Sequence, residues 1–266
     1  MNQLLETSSE YRTRPRPVSV FGRRMPSLVF YRKLVGIVCR ASRKARQGLY
    51  DDVQWFLSSL EVLRALESIG ADFEITGIEH VEQLESPCVF IGNHMSLLET
   101  LILPIIICPF RRLTFVIKES LLAYPVFKHI MRSRKPVAVT RTNARQDLKT
   151  VMEEGMDRLH KGISIVVFPQ TTRSHTFDPE QLNTIGVKLA RKAGVPVLPL
   201  ALKTDLLQNG KLLKDFGRII PSKKVHISFA EPLQVQGRGT EEHEAVIRHI
   251  TDKLRMWHHA DSKEQS

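Results

Sequence analysis

An imidazole and a carboxylate five positions apart, His94 and Glu99, stand where an apolar run ends in the segment 90–99, FIGNHMSLLE. An imidazole with its ordinary pKa of about 6.5 can take a proton from an alcohol near neutral pH if another group holds the ring with the accepting nitrogen outward. His94 is the candidate base and Glu99 the candidate group that orients it. The same residues admit a structural reading. Ser96 lies three before Glu99, the spacing of a helix capping box, so Glu99 could serve only the backbone N–H of Ser96 and His94 could be a turn residue. A second segment weighs on that choice. The apolar run 163–168 leads into Pro169, Gln170, Thr171, Thr172, Arg173 and Ser174. Hydroxyls, turn amides and a guanidinium at the mouth of a strand suit an oxyanion or a phosphate, because Arg offers a rigid fork of donors and successive N–H groups converge on an anion. The rival reading is a capped loop with one solvent-facing Arg.

Taken together, these segments resemble the glycerolipid acyltransferase family typified by bacterial 1-acylglycerol-3-phosphate acyltransferase, whose signature is NH-x4-D followed later by FPEGTRS. The chain has Asn93-His94-x4-Glu99 and Phe168-Pro169-Gln170-Thr171-Thr172-Arg173-Ser174. Between them, Lys118 to Leu121 with Pro125 and Phe127, ending in Val139-Thr140-Arg141, is similar to a second family block, and 194–200 to the family's VPVxP block. The resemblance covers about 73–233 and rests on four blocks in order. It implies that His94 deprotonates the free hydroxyl of a lysophospholipid and that Glu99 holds and polarises His94. It also implies a substrate-binding set of Lys118, Arg141, Gln170, Thr171, Thr172 and Arg173 around the acceptor's phosphate. The acceptor hydroxyl is then the nucleophile and attacks an acyl thioester directly, so no Ser or Cys need form an acyl-enzyme. Acyl-carrier protein or acyl-CoA is the implied donor, with no cofactor and no metal, and the implied product is phosphatidic acid.

Three departures from the family pattern bear on the acceptor. Glu99 stands for the usual Asp, one methylene longer with the charge kept. Gln170 stands for Glu, which removes a carboxylate and makes the pocket more positive. Thr171 stands for Gly, and a β-branched residue resists the positive φ open to Gly. A different lysolipid or an amino-acid lipid is therefore an alternative acceptor, and a non-catalytic membrane-binding scaffold of the same fold is the alternative from another class.

Charge separates the ends of the chain. Residues 1–50 hold eleven Lys or Arg against two Glu, nine of the formal +11. In 21–40 the basic residues alternate with apolar ones, the pattern of a helix lying on an anionic membrane surface, where each cation contributes roughly 1 kcal/mol. The interspersed residues are mostly aliphatic and no nucleic-acid module accompanies them, so nucleic acid is not expected. The run 100–110 is too short to cross a bilayer and contains two prolines. It suits a buried helix or the wall of an acyl site. Without a signal-peptide pattern, the expected location is the cytoplasmic face of the membrane, peripherally. Cys39, Cys88 and Cys108 are widely spaced and read as small core residues, with neither disulfide nor zinc spacing.

The elements that must position these groups alternate. Apolar strands are expected at 73–78, 88–91, 113–117, 137–139, 163–168, 197–202 and 225–229, with helices at 53–69, 145–161, 179–193 and 240–259. Alternation of this kind predicts an α/β single domain with a mostly parallel central sheet flanked by helices, preceded by an N-terminal amphipathic helical segment. The expected division is a basic, membrane-docking region at 1–70 and a catalytic domain at 71–266. His94, Lys118, Arg141 and 170–173 then fall at the carboxyl ends of strands, where open α/β sheets place their ligands. Arg132, Arg134 and Lys135 are candidates to receive an acidic carrier protein.

Overall fold

The apolar runs 89–92 and 163–167 are buried at every position and pair in parallel inside one eight-stranded sheet. Near-continuous apolar strands of this kind belong to sheets covered on both faces. The computed structural model describes residues 9–170, 172–210 and 215–264. In chain order the elements are β1 (Glu10–Arg12), α1 (Val20–Arg24), α2 (Pro26–Arg46), α3 (Asp52–Glu67), β2 (Phe73–Thr76), α4 (Ile78–Glu82), β3 (Val89–Gly92), α5 (Leu98–Ile107) and β4 (Arg112–Lys118). They continue through α6 (Phe127–Ser133), β5 (Val137–Val139), α7 (Ala144–His160), β6 (Ile163–Val167), α8 (Ile185–Ala193), β7 (Val197–Lys203), β8 (Val225–Phe229) and α9 (Thr240–Glu264). The sheet order is β1-β2-β8-β7-β3-β6-β4-β5, parallel except where β1 meets β2 and β7 meets β8. The α/β class expected from the alternating pattern is the observed one.

Each face of the sheet has its own core. On one side α2, α3 and α5 supply Phe30, Leu34, Leu63, Leu66, Ile102 and Leu103, all but excluded from solvent. On the other, α7, α8 and α9 supply Val151, Leu189, Val246 and Ile250. Burial of one such side chain is worth roughly 1.5–3 kcal/mol, so α2 is fastened by several of them. The part of the basic N-terminal segment that forms α2 is therefore not a loose arm. The apolar stripe of α2 packs against α3 and α6, while Arg32, Lys33, Arg40 and Lys44 border an open groove against α3.

The strand expected at 73–78 stops at Thr76, with Ile78 opening α4, and other details differ from the sequence-based expectation as well. The helix expected over 179–193 is a short 3-10 turn, Pro179–Gln181, followed by α8 from Ile185. Asn183 divides them: its Oδ1 accepts from Ile185 N at 3.0 Å and its Nδ2 donates to Pro169 O at 2.5 Å, bonds that compete with a continuous helix. Strand β1 was not anticipated, because three residues carry no periodicity. It is tied down by the buried Glu67, which accepts from the Tyr11 hydroxyl and from Thr13 Oγ1 at 3.0 Å and pairs with Arg16 at 3.1 Å. Cys39 is exposed rather than part of the core; Cys88 is buried, and burial pushes its thiol up to about 12.

Candidate active site

At Gly92 the end of β3 passes so close to β7 that an added Cβ would lie 2.8 Å from Leu200 O. Asn93 then prolongs the pairing with its side chain: Nδ2 donates to Leu202 O at 2.7 Å and Oδ1 accepts from Leu202 N at 2.9 Å. His94 leaves the sheet from that fixed point. Its N–H donates to Gln170 Oε1 at 2.6 Å, and its carbonyl accepts from Ser174 N at 3.0 Å. Its ring lies flat on Phe168, centroids 4.4 Å apart and planes within 3°.

Glu99 is fully buried beneath that ring. Oε2 accepts from His94 Nδ1 at 2.9 Å, and Oε1 accepts from the Met95 and Ser96 N–H groups, both at 2.9 Å, and from the Thr204 hydroxyl. One carboxylate thus meets both the amides of the helix start and the imidazole, and Ser96 N also lies 3.2 Å from Oε2. On the far side of the ring, Arg173 Nε donates to His94 Nε2 at 3.2 Å. A guanidinium can only donate. Nε2 therefore carries the lone pair and Nδ1 the proton, which is the tautomer a general base needs.

A cavity of about 550 Å³ opens beside Nε2. His94, Lys118, Arg141, Thr172, Arg173 and Asp215 form its polar end, while Leu34, Val38, Trp55, Val62, Leu101, Phe115 and Ile130 line its apolar part. Such a space matches a molecule with an anionic head and a hydrocarbon tail. A larger groove of about 790 Å³ between α2 and α3 contains no histidine and lies away from this chemistry.

Lys118 ends β4, and Arg141 follows β5 in a strained left-handed conformation, φ 63°. Asp147 holds that turn, accepting from Thr140 N and Arg141 N, each at 2.8 Å. A non-glycine residue kept at positive φ beside a site is strain that the surroundings must impose. Burial, and then the like charge of Arg173, lower the pKa of Arg141, with Asp147 opposing.

Five of the eight residues expected at the site, His94, Lys118, Arg141, Thr172 and Arg173, line this cavity, with Glu99 directly behind. Gln170 does not line it. Its amide is buried and turned under the site, with Oε1 accepting from His94 N. Thr171 lies outside the described residues. Arg134, expected on the surface, is largely buried: it pairs with Asp52 at 2.8 Å and sits over the Trp55 ring, 5.1 Å from its centroid. Ser96 turns inward to Thr204, at 3.0 Å, away from the base lone pair. Thr204 and Asp215 were missed by sequence reasoning, since each is distant in the chain from the motif it serves; Asp147, six positions after Arg141, was missed although it is local.

The model of the family described as Acyltransferase matches residues 72–203. The chain is 34% identical over 132 residues to a 1-acyl-sn-glycerol-3-phosphate acyltransferase of Pseudomonas aeruginosa, covering 50% of this chain and 49% of that one. It is 25% identical over 171 residues to a lyso-ornithine lipid O-acyltransferase of the same organism, covering 59% and 63%. The chain spans about half the length of the first of these curated relatives. A crystal structure of a 1-acyl-sn-glycerophosphate acyltransferase from Thermotoga maritima superposes with a TM-score of 0.64 at 21% identity, covering 88% of this chain and 95% of that one, a likeness of fold.

Proposed function

Because the chain belongs to the acyltransferase family, we propose that it transfers a fatty acyl group from an acyl-carrier protein or CoA thioester to the free hydroxyl of a lysophospholipid, 1-acylglycerol-3-phosphate foremost. The observation that carries this reading is His94, with Nδ1 on Glu99 and Nε2 facing a cavity with three cationic side chains at one end. Nε2 takes the hydroxyl proton as the oxygen attacks the thioester carbonyl. The tetrahedral intermediate collapses with cleavage of the C–S bond, and the same nitrogen returns its proton to the departing thiolate. Glu99 keeps the ring in place and stabilises the imidazolium between those two transfers. Lys118, Arg141, Thr172 and Arg173 hold the phosphate, and the apolar part of the cavity takes acyl chain. The test is turnover of purified protein with labelled acyl donor and a panel of lysolipids. Lysophosphatidate is expected to be the best acceptor, with His94→Ala slower by about 10³-fold; full activity in that variant would end the assignment.

The substrate is a lipid, so the protein must meet a membrane, and among the described residues no helix is long and apolar enough to cross one. Val20 and Phe21 on α1, Met25 between the helices, and Leu28 and Val35 on α2 are exposed, in company with Arg23, Arg24, Arg32 and Lys33. This supports peripheral docking on an anionic surface. Since α2 also supplies core residues, point changes rather than truncation are the proper probe. Phe21→Ser with Leu28→Ser is expected to weaken cosedimentation with anionic vesicles by at least about tenfold. Unchanged binding would place the membrane face elsewhere.

A further inference from the structure

The hydrogen bond from Arg173 to His94 poses a difficulty for the reaction. An imidazole nitrogen has one lone pair, and that of Nε2 already accepts from Arg173 Nε at 3.2 Å. An acceptor hydroxyl cannot deliver its proton there until the guanidinium moves. What holds the guanidinium is Asp215, whose Oδ1 accepts from Arg173 Nη1 at 2.5 Å, with both side chains less than one-fifth exposed.

Asp215 is itself firmly placed. Phe216 packs on Tyr31 of α2 at 5.5 Å between ring centroids, the Tyr31 hydroxyl donates to Gly217 O at 2.6 Å, and Ile219 N donates to Ser27 Oγ at 2.9 Å. Lys118 and Arg141 line the same end of the cavity. Among the described residues lining the cavity Asp215 is the one carboxylate, while Asp147 faces Arg141 from behind its turn; a phosphate monoester brings more negative charge than Asp215, about −1.5 to −2 near neutral pH.

We infer that Asp215 is a positioning residue that stands in for the acceptor's phosphate: it keeps Arg173 over the base lone pair until a phosphate monoester draws the guanidinium away and frees Nε2. The exchange is one of charge-assisted hydrogen bonds, carboxylate for phosphate, with no covalent step. It makes the base available only when the correct head group has arrived. This deepens the reading of His94 and Arg173 given above and rests on it.

The test uses the full chain, its Asp215→Asn and Asp215→Glu variants, and His94→Ala, with an acyl-CoA donor. The readouts are KM for lysophosphatidate and the inhibition constant of a monoacylglycerol, which lacks the phosphate. Removing the competing carboxylate is expected to lower KM for lysophosphatidate about fivefold in Asp215→Asn. Binding of monoacylglycerol should stay unchanged, and the Glu variant should return KM toward the parent value. A merely structural anchor for Arg173 predicts the opposite sign, a higher KM in the Asn variant, and that result overturns the proposal. An equal fall for monoacylglycerol overturns it too, and so does a selective loss of an amine-bearing lysolipid acceptor, which would make Asp215 a ligand for ammonium. If His94→Ala keeps parent activity, the base assignment fails and the inference falls with it. If His94→Ala is inactive and KM does not fall in Asp215→Asn, only the stand-in role fails.

Discussion

Two histidines of this sheet have nearly the same surroundings and opposite fates. His94 and His226 are both buried, and each lies on an aromatic ring, Phe168 at 4.4 Å and Trp257 at 5.0 Å between centroids. Each has carboxylates nearby, Glu99 at 2.9 Å from the first, Glu74 at 3.6 Å and Asp261 at 3.9 Å from the second. The difference is in the ring nitrogens. Both of those of His94 are hydrogen-bonded and the ring borders the cavity, whereas neither nitrogen of His226 has a hydrogen-bond partner among the described residues. Burial, and then the Lys203 ammonium, hold His226 neutral, its pKa pushed down to about 4. Proximity of a carboxylate therefore does not fix how a ring is bonded; only His94 combines a directed bond at Nδ1 with a place on the cavity wall, the geometry on which its proposed role as base rests.

Breaking that directed bond should give the largest effect. In Glu99→Gln the side-chain oxygen can still accept from the Met95 and Ser96 amides, so the start of α5 is preserved. The amide nitrogen, however, would donate toward His94 Nδ1. That favours the tautomer with the proton on Nε2, where it opposes the Arg173 donor and leaves no outward lone pair. A drop in kcat of about 10³-fold is expected, with little change in KM. Near-parent kcat would mean that Glu99 acts as a cap alone and that the comparison has been drawn on the wrong bond.

How far such distinctions are legible in a sequence depends on their range. The strands on which the site is built were readable because strands buried on both faces are near-continuous apolar runs, as at 163–167 and 197–202. His94 and Glu99 were readable because both ends of their contact lie in one turn. Thr204, which donates to Glu99, follows the end of the neighbouring strand β7, 105 positions away in the chain, and Asp215 lies 42 positions beyond the Arg173 it holds. No local pattern marks either. Gln170 shows the reverse failure: its place in a motif suggested a substrate contact, but its direction is set by the free N–H of His94, which only the fold brings within reach. The contrast between His94 and His226 was likewise invisible, since Glu74, Lys203 and Asp261 reach His226 from two strands and the terminal helix.

The smaller effect belongs to His226, and it should appear in stability rather than turnover. Facing this ring are Glu74, Lys203, Lys224 and Asp261, with Lys203 paired to Asp261 at 2.6 Å. Its folded pKa of about 4 lies below the unfolded value of 6.5, so between those values the unfolded chain binds a proton that the native chain refuses. Stability therefore falls as pH is lowered through that window, and the loss levels off once the native ring also protonates. Between pH 7 and pH 5 the contribution is on the order of 2 kcal/mol. His243 and His249, also lowered chiefly by burial, act in the same direction. His226→Phe keeps a ring on Trp257 and removes the titration. Any packing penalty is common to both pH values and cancels in the difference. Urea midpoints measured at pH 7 and pH 5 should thus separate less in His226→Phe than in the parent. An equal separation in the two chains would show that His226 takes up its proton in the native state as readily as in the unfolded one, and that the unbonded ring is not the inert member of the pair.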